Sequence, residues 1–146
     1  MNKVLDKIYR IGLVPVVKLD SADDAVPLAG ALCSGGLPVA EITFRTDAAE
    51  QSIKNIKAAY PDMLLGAGTV LTVEQVDRAV NAGAQFIVTP GFNKKIVQHC
   101  IDIGVPVTPG CPTSSDIESA IEMGLDTLKF FPAENLGGVK MIKALA

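Results

Sequence analysis

Four stretches of this chain repeat one pattern. "SGGLPVAEIT", "NAGAQFIVTPG", "DIGVPVTPG" and "EMGLDTLKFFP" each set a glycine before a short apolar run that ends in a polar or proline-marked turn. Gly83, Gly104 and Gly124 stand 21 and 20 residues apart, and Gly36 precedes Gly83 by 47, room for two such units. A glycine just past a helical pattern suits the left-handed cap position, where a Cβ would clash. The runs that follow are too short for helices and rich in Val, Ile and Phe. They read as strands near 12–18, 38–43, 64–68, 85–89, 105–108 and 126–131.

Helical patterns fill the intervals. A leading helix is predicted near 2–9, and Ala22 to Ser34 follows Ser21 and Asp24, spaced as a capping box. Thr46 to Tyr60 places Ile53, Ile56 and Tyr60 at helical spacing and stops before Pro61. Thr72 to Ala82 opens on a capping threonine, and Asn93 to Ile103 and Ser114 to Met123 follow suit. Strict β/α alternation means right-handed crossovers and a parallel sheet. Six strands allow two architectures: an open doubly wound sheet, or an eight-stranded (β/α) barrel short of its last two units. At 146 residues, one domain is expected.

Composition removes several classes of function. A net charge of −3 and the lack of any lysine- or arginine-rich block argue against nucleic acid and anionic membrane as partners. Ile11 to Val17 follows basic residues as in a signal peptide, but Lys18 and Asp20 interrupt it and no cleavage pattern follows. No run approaches the ~18 apolar residues of a membrane span. Cys33, Cys100 and Cys111 are odd in number and widely spaced without C-x-x-C, as expected of free thiols in the cytoplasm.

Charge inside the strands carries the chemistry. Alternation in "VAEITFR" sets Val39, Glu41, Thr43 and Arg45 on one face, and Ala40, Ile42 and Phe44 on the other. In "DTLKFFPAE", Thr127, Lys129 and Phe131 share a face opposite Leu128 and Phe130. The apolar faces belong against helices, so Glu41 and Lys129 point into the barrel or cleft. Such a pair can be structural or catalytic, and its position toward the C-terminal ends of parallel strands favours catalysis. An amine held among apolar groups favours its neutral, nucleophilic form and can attack a ketone to give a Schiff base. Glu41 is the strand-embedded carboxylate available to shuttle protons. Arg45 can grip a carboxylate bidentately and Thr69 can add a hydroxyl. Gly66 and Gly68 would let a ligand approach the backbone. "GAGTVL" is not a dinucleotide fingerprint. His99, Lys94 and Lys95 read as helix-surface groups, Cys111 as a neighbour of the site, and Gly137 and Gly138 as a turn.

In "AEITFRT", "GAGTV", "VTPG" and "LKFFPAE", in this order and spacing along the whole chain, the sequence resembles the class I 2-keto-3-deoxy-6-phosphogluconate (KDPG) / 4-hydroxy-2-oxoglutarate (KHG) aldolases. The resemblance implies a (β/α)8 TIM barrel, usually a homotrimer, that reversibly releases pyruvate and an aldehyde (glyceraldehyde 3-phosphate or glyoxylate) without metal or organic cofactor. It implies Lys129 as the Schiff-base lysine and Glu41 as general acid/base. Arg45 and Thr69 would hold the pyruvate carboxylate, with Pro90 and Phe131 lining the pocket. The family continues into two more strands with a glycine-rich phosphate-binding segment. Residues 1–146 are therefore expected to be a single incomplete barrel domain of six βα units, with the pyruvate half of the site. Two alternatives stand beside this: an inactive barrel fragment, and a receiver-like α/β signalling module. The second needs an acidic cluster after the first strand, where "VVKLDS" offers Asp20 beside Lys18.

Overall fold

A computed structural model describes residues 2–145, in which the glycine-spaced runs form one parallel sheet. Its strands are β1 (Val16–Val17), β2 (Val39–Thr43), β3 (Leu64–Gly68), β4 (Phe86–Thr89) and β5 (Val107–Pro109). They lie in the order β1-β2-β3-β4-β5, each hydrogen-bonded to its neighbours in sequence. Doubly wound and receiver-like sheets reverse their strand order at a switch point. This sheet has no reversal, so both of those alternatives fall and the TIM-barrel type stands.

Helices α1 (Lys3–Ile11), α2 (Ala25–Ser34), α3 (Ala49–Ala59), α4 (Val73–Ala82), α5 (Lys94–Asp102), α6 (Ser114–Glu122) and α7 (Gly138–Leu145) complete the fold. Local chemistry starts and stops them. Thr72 accepts from the Gln75 N–H, Asn93 from those of Lys95 and Ile96, and Thr113 forms a reciprocal capping box with Asp116. Gly83, at φ 112°, closes α4 as the left-handed cap. Two starts differ from expectation. Ser21 accepts from Asp23 N and opens a 3-10 turn, Ala22–Asp24, before α2. The helix expected from Thr46 starts only at Ala49, and Thr46 gives its hydroxyl to the Leu19 carbonyl at 2.5 Å.

Each sheet face has its own core. Ala40, Ile42, Leu65, Ala67 and Ile87 pack with Ile53 and Val76 of the flanking helices. On the other face Val39, Leu64, Phe86 and Val88 meet Val4, Ile8 and Ile11 of α1, so α1 covers the N-terminal part of the inner face. Complete burial of a side chain such as Ile42 or Ile53 stabilises by about 1.5–3 kcal/mol. Among the described residues no helix is long and apolar enough to cross a membrane.

The outer strands are shorter than expected. Gly12, at φ 77°, ends α1 inside the predicted first strand. Residues 126–131 form only one parallel bridge, Lys129 with Gly110. Lys129 N donates to the Pro109 carbonyl at 3.0 Å and Cys111 N donates to the Lys129 carbonyl at 2.8 Å. Pro109 has no N–H to extend the ladder one way. In the other direction the Thr113 N–H is taken by the Asp116 carboxylate at 3.3 Å. The sixth strand is thus a single pair, centred on Lys129.

Candidate active site

Glu41 lies in the middle of β2 on the inner face and is only 4% exposed. Its carboxylate lies over Gly68 of β3, where a Cβ would overlap it. Among the described residues Oε1 has no hydrogen-bond partner. Burial pushes the carboxyl above its ordinary value, while the charges of Lys129 and Arg45 pull the other way without cancelling the rise. A group in this state can hold or release a proton under mild conditions.

Lys129 is half-buried, less enclosed than the apolar sequence around it implies. Its amine sits 4.7 Å from the centroid of the Phe131 ring, in cation–π range. Leu128 and Phe130 line a crevice with Ile117 of α6 and Ile142 of α7, but Lys129 borders that crevice too and Leu128 also borders the inner trough, so the two faces are less cleanly divided than the alternation predicts. Glu41 and Lys129 line one inner-face trough of about 570 Å³, together with Phe86, Val88, Thr108 and Thr127. No ion pair joins the two charges among the described residues.

Arg45 and Thr69, expected to hold a carboxylate, also meet. Arg45 Nε donates to Thr69 Oγ1 at 3.2 Å, just beyond the C-terminal ends of β2 and β3. Thr69 has φ 55°, the one positive φ outside glycine among the described residues. A β-branched residue there is strained, and such strain gathers at functional sites. The turn is pinned on both sides, by Phe44 N to Gly68 O at 2.7 Å and Val70 N to Val88 O at 3.3 Å. Pro90 lies at the end of β4, its carbonyl so close to Gly110 that a Cβ there would overlap it. Arg45, Thr69, Pro90 and Phe131 sit around the strand ends but do not line the trough itself.

Gly66 and Gly68 require correction. They make room for protein side chains, the Phe86 ring and the Glu41 carboxylate, not for a ligand against the backbone. The pattern Gly-x-Gly with a small residue between could have signalled this, since alternate positions share a face.

The remaining candidates have structural roles. His99 pairs with Asp77 at 2.7 Å, joining α5 to α4, while Lys94 and Lys95 are exposed. Cys111 is buried and its thiol points to the Pro109 carbonyl, with burial and then Asp116 pushing it up to about 11. The Gly137 and Gly138 amides are spent on turn bonds to Glu134 and Ala133. Among the described residues no cluster of three or more His, Cys, Asp or Glu is placed to hold a metal ion.

Parallel strands in sequential order, with a lysine and a buried carboxylate facing one inner trough, define an enzyme-like (β/α)-barrel site. Comparison with known proteins agrees: the family described as KDPG and KHG aldolase matches residues 4–146. A 2-dehydro-3-deoxy-phosphogluconate aldolase of Haemophilus influenzae is 54% identical over 99% of this chain and 68% of its own length. Among solved structures, the KDPG aldolase of Zymomonas mobilis with 3-phosphoglycerate superposes with TM-score 0.93 at 38% identity, over 100% of this chain and 69% of that one. That of Legionella pneumophila, holding pyruvate as a covalent carbinolamine, gives 0.87 at 38% identity, over 90% of this chain and 64% of that one. The chain belongs to the KDPG and KHG aldolase family and spans about two thirds of the length of these relatives.

Proposed function

We propose that this chain carries the Schiff-base site of a class I aldolase that reversibly cleaves KDPG, KHG or both to pyruvate plus glyceraldehyde 3-phosphate or glyoxylate. One observation carries the reading: Lys129 faces the same trough as Glu41, whose Oε1 has no hydrogen-bond partner among the described residues. The neutral Lys129 amine adds to the substrate C2 carbonyl, giving a carbinolamine that loses water to form the iminium. Glu41, in its carboxylate form, takes the C4 hydroxyl proton as the C3–C4 bond breaks. The aldehyde leaves and the electron pair passes into the enamine. Glu41 then returns the proton to C3, and water releases pyruvate from Lys129. Arg45 and Thr69 hold the substrate carboxylate at the strand ends, where Pro90 and Phe131 border the pocket.

Residues 1–146 form one domain on this reading, an incomplete TIM barrel. The working enzyme is a cytoplasmic homotrimer. Three free thiols, two of them buried, suit a reducing compartment. A chain 38% identical to this one occurs in a designed protein cage built by fusing symmetric oligomeric domains, which favours symmetric assembly.

Borohydride reduction in the presence of pyruvate should leave a covalent adduct on the peptide carrying Lys129. Absence of the adduct from folded protein, or its persistence after Lys129→Ala, would overturn the assignment.

A further inference from the structure

We propose that Gly68 is a positioning residue for Glu41: the missing side chain at this position forms the slot that seats the acid/base carboxylate. The inference rests on the aldolase reading for its catalytic meaning. The parallel register pairs Glu41 with Gly66 and Thr43 with Gly68, so the Glu41 side chain leans toward the C-terminal end of β3. A Cβ built at Gly68 would meet Oε1, Cδ and Cγ of Glu41, and these are its three nearest atoms. Gly68 has no positive φ, so glycine serves there for space and not for backbone freedom.

The seat works by shape. A buried structural carboxylate is normally held by hydrogen bonds or a cation, yet among the described residues Glu41 Oε1 has no hydrogen-bond partner. What confines the group is the neighbouring strand, opened by one missing methyl. Gly66 provides an internal comparison: on the same face of β3, its vacant space is filled by the Phe86 ring. Two slots on one strand thus hold an apolar ring and a carboxylate. The second slot holds Glu41 against β3, and with no ion pair to Lys129 among the described residues the trough between proton shuttle and nucleophile is open to a substrate. A methyl at position 68 drives the carboxylate into the trough, toward the Lys129 amine.

A double-substitution cycle tests the slot without reference to activity. Gly68→Ala should lower the melting temperature by roughly 3–10 °C when Glu41 is present, the range for an overpacked buried site. In a Glu41→Ala background the same change should cost less than about 2 °C, because the added methyl then meets empty space. An equal loss in both backgrounds overturns the proposal. If Gly68→Ala alone does not fold, recovery of folded protein on adding Glu41→Ala supports the slot, and failure of both variants overturns it.

Two readouts with pyruvate then separate seating from general damage. Borohydride trapping at Lys129 should stay within about threefold in Gly68→Ala, while deuterium exchange into the pyruvate methyl group falls about a hundredfold. Pairing Gly68→Ala with Glu41→Asp, which shortens the acid by one methylene, should recover about tenfold of that exchange relative to Gly68→Ala. Parallel loss of trapping and exchange, with no recovery in the pair, counts against the positioning role. If the unsubstituted chain forms no adduct at all, the aldolase reading fails, and the melting cycle still decides whether Gly68 seats Glu41.

Discussion

Replacing Thr69 by glycine and by valine separates backbone strain from side-chain chemistry at one residue. Thr69 sits at φ 55°, and a non-glycine residue held there costs about 1–3 kcal/mol. Glycine removes that strain but frees the unfolded chain, a loss of about 0.5–1 kcal/mol. Either substitution also loses the exposed hydrogen bond from Arg45, about 0.5–1 kcal/mol. Thr69→Gly should therefore lie between about 1 kcal/mol less stable and about 2 kcal/mol more stable than the unsubstituted protein, the upper end applying if strain is near 3 kcal/mol. Thr69→Val keeps the strained backbone and loses the bond, so it should be destabilised by about 0.5–1.5 kcal/mol. The informative quantity is the order of the two variants. At an ordinary extended position valine outranks glycine by about 1 kcal/mol; here glycine should outrank valine by about 1 kcal/mol. Urea unfolding with matched m-values measures this directly. Valine proving the more stable would refute strain at Thr69. Both variants should also need about tenfold more pyruvate for half-maximal trapping at Lys129, since both lose the hydroxyl beside Arg45.

Two further predictions concern ionisable groups. Glu41 has a folded-state value raised above its ordinary 4.5, so the unfolded chain gives up its proton first. Its contribution is fully present below 4.5 and is lost as pH rises through the raised value. Glu41→Gln should therefore gain stability relative to the parent as pH increases over that window, then level off; a flat or falling difference in urea unfolding from pH 4 to 8 would contradict the burial argument. Cys100 and Cys111, both pushed up to about 11, should resist iodoacetamide at pH 8 in the native protein, where roughly one thiol in a thousand is ionised, and react at least tenfold faster in urea. Mass spectrometry of the two peptides reads this out.

The alternation of side chains in residues 39–45 and 127–131 was enough to set Glu41 and Lys129 on the inner face, because a strand's period is two whatever surrounds it. The glycine spacing likewise carried the parallel sheet. What escaped depends on neighbours that are remote in sequence. Thr46 looks like the first residue of a helix until Leu19, 27 residues away, offers its carbonyl and the helix starts at Ala49. Gly66 and Gly68 look like room for a ligand until Phe86 and Glu41 occupy it. The sixth strand looks complete until Pro109, on its partner, withholds an N–H. Thr69 carries no local mark of its positive φ, since threonine is among the residues least suited to it.

The sequential strand order also governs how the chain can be built during synthesis. Val16 pairs with Glu41, Gly66 with Phe86, Ile87 with Val107 and Gly110 with Lys129, so each contact closes a loop of only about 20–25 residues. Such short closures are cheap in entropy and favour rapid growth by adjacent units. A ribosome feeding this chain out from its N-terminus can add one βα unit to a sheet already started. The seat for Glu41, made by β2 and β3, is then finished some sixty residues before Lys129 emerges. On the proposed reading, the proton shuttle is folded into place before the nucleophile it is to serve has been synthesised.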